Sequence, residues 1–123
     1  MTPEQLIAAA LAQRESFVLL GDGKRVKIRR PSEVAIPKML RRNGDAGTSI
    51  HAGLEEVRAH VVGWEGFTEA DFMAGGASDP VDFDARLWAL WIEDHRDNIG
   101  LVAQAIVDAV VAHEQRQADT TKN

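Results

Sequence analysis

Val61-Val62-Gly63-Trp64-Glu65-Gly66-Phe67-Thr68-Glu69-Ala70-Asp71 lies between two amphipathic segments and sets large apolar anchors among glycines and carboxylates. Glycine on either side of Trp64-Glu65 frees the backbone to turn. Trp64 and Phe67 supply the apolar area that holds such a turn against a core. Thr68, with Asp71 three residues later, has the spacing of a capping box, so a short helical turn is expected there. The stretch reads as a shaped corner and not as a catalytic centre.

Upstream, Thr2-Pro3-Glu4-Gln5 opens a helix: Thr2 caps, Pro3 fits the first helical position and Gln5 completes a capping box. Leu6, Ile7, Ala10 and Leu11 mark its apolar stripe, and the helix is expected to end near residues 14–16. Residues 17–20 and 24–30 flank Gly21-Asp22-Gly23 and read as a β-hairpin with Asp22-Gly23 in a type I′ turn. An unbulged turn sets Leu19 opposite Val26 and Phe17 opposite Ile28, which gives one apolar face and one basic face of Arg25, Lys27 and Arg29. Two strands alone are marginal, so the hairpin must lean on helices or pair its edge with another molecule.

Pro31-Ser32 ends the second strand, and Pro37 prevents one continuous helix through 32–42, leaving a short helix over 37–42. Residues 43–47 form a loop by composition. Thr48 or Ser49 then caps a helix carrying Ile50, Leu54, Val57 and Val61 at helical spacing, which Gly63 terminates. Beyond the corner, residues 74–78 read as flexible and Asp79-Pro80 begins an extended piece. Asp82 or Asp84 caps a helix with the apolar face Leu87, Trp88, Trp91 and Ile92. A break near 95–97 leads to a last helix with Ile99, Val102, Ala103, Ile106 and Val110 in register. The expected fold is mainly α with one β-hairpin, a small α+β helical domain over residues 1–116 followed by a disordered tail, 117–123.

At 123 residues the chain has the length of one domain, and 45% hydrophobic against 27% charged residues argues against wholesale disorder. Cysteine is absent, which removes disulfides, thiolate nucleophiles and cysteine-based metal sites. No apolar run is long enough to span a bilayer, and the first residues lack the pattern of a signal peptide, so an intracellular protein with no membrane partner is expected. The net charge of −5 disfavours nucleic acid, whose binding draws on Lys and Arg neutralising phosphates. The charge is polarised. Lys24, Arg25, Lys27, Arg29, Arg30, Lys38, Arg41 and Arg42 face only Glu33 across 24–42, whereas 65–97 is mostly acidic. Such a surface suits self-association or an oppositely charged partner.

Catalytic patterns find little support. His51, His60, His95 and His113 lack metal-ligand spacing. Asp79, Asp82 and Asp84, near Glu65, Glu69 and Asp71, lack the central glycine and terminal glutamate of a calcium loop, and helix capping explains them better. Gly21-Asp22-Gly23-Lys24 has Val18 and Arg25 where a phosphate-binding loop needs glycine and a hydroxyl. His95-Arg96-Asp97 has no accompanying glycine-rich loop. Ser16, Ser32, Ser49 and Ser78 sit at caps or loops and not on a strand-to-helix elbow. Neither an enzyme nor a cofactor or metal is expected. Trp88 and Trp91, three residues apart, project from nearly one side of a helix and suit either a core or a binding surface.

The Gly63-Trp64-Glu65-Gly66 corner, the acidic-aromatic turn after it, Pro80-Val81-Asp82-Phe83-Asp84 and the tryptophan-bearing helix resemble the tail assembly chaperones of long-tailed bacteriophages. The resemblance extends upstream to the hairpin over 17–30 and covers about the middle four-fifths of the chain. It implies a noncatalytic chaperone in the host cell cytoplasm that binds the tape measure protein, and tail tube subunits, while the tube polymerises. The partner-binding residues expected on that basis are Trp64, Phe67, Trp88 and Trp91. The family also commonly makes a longer product by ribosomal frameshifting, for which Lys122-Asn123 could be encoded by a slippery stretch. The alternative reading is a small structural virion protein, such as a tail or connector subunit.

Overall fold

The computed structural model describes residues 1–122, so Asn123 and its share of the expected tail lie outside the described residues. The first helix, α1 (Pro3–Ala12), starts as expected. The Thr2 hydroxyl accepts from the Gln5 amide at 3.1 Å, and Gln5 Oε1 accepts from the Thr2 amide at 2.9 Å. It stops at Ala12, short of the expected end, and none of its residues is buried.

The hairpin forms from β1 (Glu15–Gly21) and β2 (Lys24–Arg29) around Asp22 at φ 53° and Gly23 at φ 75°, both left-handed as a type I′ turn requires. Its register differs from the expected one. Val18 faces Val26, Ser16 faces Ile28, Phe17 faces Lys27 and Leu19 faces Arg25, because the ladder slips between Leu19 and Gly21. Gly21, at φ 93°, accommodates this bulge, and a one-residue slip exchanges the two faces of a strand. Val18, Val26 and Ile28 are therefore buried, while Phe17 and Leu19 join the basic side chains on the outer face. There the Phe17 ring takes the Arg25 guanidinium at 3.7 Å and the Lys27 ammonium at 5.3 Å from its centroid.

The hairpin is not left with two strands. β5 (Val61–Glu65) pairs antiparallel with β2, giving a three-stranded sheet of order β1-β2-β5. The first half of the corner stretch is thus an edge strand. The expected helix through Val61 is shortened to α2 (Leu54–His60), entered at Gly53. Two other segments expected as helical are also extended. A 3₁₀ turn, Ile36–Met39, leads into β3 (Leu40–Arg42), which pairs with β4 (Thr48–Ile50) across a loop where Gly44 and Gly47 take φ 59° and 94°. The α+β class stands, with the hairpin as one of several strand pairings.

The chain then runs through a 3₁₀ turn, Glu69–Asp71, into an extended piece and α3 (Ala85–Glu93). Asp84 is the cap: its carboxylate accepts from the Arg86 amide at 2.8 Å and the Leu87 amide at 3.3 Å. The hydrogen bonds of Arg86 and of these amides hold the Asp84 carboxyl far below the usual range. After a break at Asp94-His95, α4 (Arg96–Lys122) runs to the end of the described chain, so residues 117–122, expected as disordered, continue the helix. Val102, Ala103, Ile106 and Val110 bury one face of α4 as their spacing predicts, and α4 packs on α2, α3 and β1. One core results, between the inner sheet face (Val18, Val26, Ile28, Val61) and the helices carrying Val57, Trp88, Ile92 and Ile106.

Residues 74–78 fold back as a turn: the Gly76 amide donates to Met73 and the Ala70 amide to Ala77, at 3.1 and 3.0 Å. Two glycines separate conformational from steric demands. Gly66 has φ 88°, and a Cβ there would collide with the Gly23 carbonyl. Gly75 has φ 79° in open space. Gly75→Ala is expected to cost about 1 kcal/mol for the left-handed backbone alone. Gly66→Ala should cost roughly 3 kcal/mol or more, because the hairpin turn must also retreat. Urea unfolding midpoints of the two variants check this ordering.

Candidate functional site

The residues singled out from the sequence converge on one aromatic cluster centred on Phe67. β5 delivers Trp64, whose ring stacks on Phe67 at 4.3 Å between centroids and 20° between planes. The Pro80–Asp84 piece delivers Phe83, edge-on to Trp64 at 5.1 Å. α3 delivers Trp88 and Trp91, both edge-on to Phe67 at 6.5 and 5.1 Å. These offset and edge-to-face arrangements are the ones the ring quadrupoles favour.

The polar ends of the tryptophans are satisfied inside the fold. Trp64 Nε1 donates to the Val81 carbonyl at 2.7 Å, and Trp88 Nε1 donates to the Val57 carbonyl at 3.0 Å. The Val81 amide in turn donates to the Phe67 carbonyl at 2.9 Å, and Thr68 bridges Pro80. Each motif of the resemblance is therefore tied to the next by a ring contact or a backbone hydrogen bond.

Of the four residues expected to meet a partner, Trp88, Phe67 and Trp91 are buried at 0%, 1% and 6% exposure, and Trp64 is half-buried. In this conformation Phe67, Trp88 and Trp91 belong to the core of the corner, and Trp64 alone of the four keeps part of its surface exposed. Trp91 is further covered by His95, which stacks on it at 3.7 Å while its Nδ1 lies 2.6 Å from the Trp91 carbonyl.

The capping box at the corner is present. Asp71 Oδ2 accepts from the Thr68 amide at 2.7 Å, and Asp71 Oδ1 pairs with Lys24 Nζ at 2.9 Å. Burial pushes the Asp71 carboxyl upward, but hydrogen bonds from Lys24 and Thr68 and the Lys24 charge outweigh it and hold the group below its ordinary value. Arg25 pairs with Glu65 at 2.7 Å, so part of the polarised charge is neutralised within the chain, hairpin to corner. Sequence reasoning weighed His113 only as a metal ligand and missed its burial. It is 8% exposed, with Nε2 at 2.5 Å from Glu33 Oε1, and its place on the α4 stripe one turn after Val110 was the available signal.

Exposed apolar side chains lie elsewhere. Leu6 and Ile7 of α1 are 58% and 59% exposed, Phe17 and Leu19 are exposed together on the outer face of the hairpin, and Val34, Leu40, Met73, Leu90, Leu101 and Val111 are exposed as well. No group of three or more His, Asp or Glu side chains that could hold a metal ion occurs among the described residues. No described helix is long and apolar enough to cross a membrane. Comparison with protein-family models, with curated proteins and with solved structures gives no match.

Truncating Trp88 to alanine is expected to cost about 3–5 kcal/mol. Trp88→Phe should cost less, at about 1–3 kcal/mol, chiefly by leaving the buried Val57 carbonyl without its donor. Chemical denaturation of both variants measures the difference. For Asp71, a depressed folded-state value means that its stabilisation is present above the unfolded value near 4 and is lost as pH falls through the lower folded value. Asp71→Asn should be less stable than wild type above about pH 5, with the gap closing below about pH 4. Thermal melts across that range test the sign.

Proposed function

We propose that this chain is a noncatalytic phage tail assembly chaperone of the host cell cytoplasm, binding the tape measure protein, and tail tube subunits, during assembly. The observation that carries the reading is α1. Its apolar positions follow helical spacing, yet none of them is fully buried and Leu6 and Ile7 face solvent. An amphipathic helix kept out of the core suits transient capture of an amphipathic client, since a client helix can lay its apolar face against it. Support also comes from the order of hairpin, corner and tryptophan helix, which the aromatic cluster joins into one unit.

On this reading the binding element is α1, and Trp64, Phe67, Trp88 and Trp91 serve it indirectly by holding the scaffold. Binding a partly unfolded client shifts that client's equilibrium away from aggregation by mass action. Co-expression with the tape measure protein of the same phage or prophage is expected to move that client from the pellet to the soluble fraction. Leu6→Ser with Ile7→Ser should abolish the effect while changing the chain's own stability by no more than about 0.5 kcal/mol, because both side chains are exposed. A client that stays insoluble with the wild-type chain rejects the chaperone reading. Retention of the chain in purified particles would put the structural virion reading in its place.

A further inference from the structure

A cleft of about 230 Å³ opens where α1 ends, lined by Gln13, Arg14, Ser16, Arg30, Ala109 and Arg116, with Glu15 and Ala112 completing its wall. Three guanidiniums from distant parts of the sequence meet there: Arg14 from the α1–β1 link, Arg30 from the end of β2 and Arg116 from α4. The Arg30 amide donates to the Arg14 carbonyl at 2.7 Å, which fixes the first two positions by backbone.

Among the described residues, no salt bridge engages any of the three. Glu15, the carboxylate in the wall, is committed to Arg29 at 2.7 Å, and nearby Glu33 is held by His113. Arg30 does donate from Nη1 to the Pro31 carbonyl at 2.9 Å, but that acceptor is neutral and does not balance its charge. Burial first, then the like charges of Arg14 and Arg116, push the Arg30 guanidinium below its ordinary value, against an opposing pull from Glu33. Like charges held together with only partial compensation, here Glu33 at a distance and a Glu15 already paired with Arg29, destabilise a fold. An arrangement of this kind fits a ligand that brings the missing negative charge.

We propose that this cleft is an oxyanion site that takes the carboxylates of an acidic polypeptide segment on a partner protein. Guanidinium forks match carboxylate geometry bidentately. The cleft is larger than one oxyanion requires, and Ala109 and Ala112 give part of its wall small side chains against which a partner's backbone can approach. Nucleic acid fits less well: no aromatic side chain lines the cleft for base stacking, and the chain carries a net charge of −5. The proposal concerns a surface separate from the Leu6/Ile7 stripe and stands whether or not the client is a tape measure protein.

The test is an NMR titration of the uniformly nitrogen-15-labelled full chain with a capped pentaglutamate peptide, a capped pentaglutamine peptide and inorganic phosphate. Saturable shifts from pentaglutamate at residues 13–16, 30 and 109–116, absent with pentaglutamine and at least about tenfold weaker with phosphate, are expected from contact with several guanidiniums. Arg30→Gln and Arg116→Gln should each weaken binding about tenfold without lowering the melting temperature, since neither loses an internal ion pair. Arg42→Gln, which removes the same charge from an exposed residue outside the cleft, should leave binding unchanged. Lack of saturation, an equal loss with Arg42→Gln, or phosphate binding as tightly as pentaglutamate would each overturn the proposal.

Discussion

The joining of the sheet edge to the tryptophan helix depends on the ring contacts of Phe67. The residue is fully enclosed, with Trp64 stacked on one side and Trp88 and Trp91 edge-on. Those contacts, with the Val81 amide donating to the Phe67 carbonyl and Phe83 edge-on to Trp64, join a sheet edge, a 3₁₀ turn, an extended piece and α3, none of which is long enough to stand alone. The close approach of Gly66 to Gly23 brings the hairpin turn against the same point, and Lys24–Asp71 adds an ion pair across it. The corner is therefore the place where the sheet and the helical half are locked together.

That lock also explains the distribution of charge. The basic hairpin and the acidic segment after residue 65 look like two poles in the sequence, yet they are neighbours in the fold. Arg25 meets Glu65 and Lys24 meets Asp71. Because Lys24 and Asp71 are partly shielded from water, that pair contributes more than a fully exposed one would. Elsewhere Arg14, Arg30 and Arg116 meet around one cleft without an ion pair among the described residues.

The division between core and surface reverses the expectation placed on the tryptophans. Large aromatic side chains are enriched both in cores and at binding hot spots, so type and spacing favour a core role for at least one of the pair and leave the other open. The structure assigns Trp88 and Trp91 to the interior, with Trp88 anchored to the α2 carbonyl of Val57. Leu6 and Ile7 of α1, which carry no distinctive motif, are among the apolar residues left facing solvent. Candidate binding surface thus lies where the sequence is least distinctive.

Local chemistry, legible from the sequence, determined the elements whose signals are contained within a few residues. The Thr2–Gln5 capping box, the Thr68–Asp71 pair, the Asp84 cap and the apolar face of α4 follow from side chains that reach their own neighbouring backbone or repeat at 3.6 residues, and the Asp22-Gly23 turn from two residues that tolerate positive φ. Tertiary structure decided what depends on partners far along the chain. The bulge that slips β1 by one residue is selected by which face the core accepts, and Val18 rather than Leu19 fills that place. Val61 fits a helix begun at Leu54 as well as a strand, and only the open edge of β2 draws it into β5. β3 and β4 carry no alternation of apolar and polar residues, so pairing alone reveals them. A sequence specifies which hydrogen bonds and burials are possible at each position, and the fold chooses among them by long-range contacts that no local window contains.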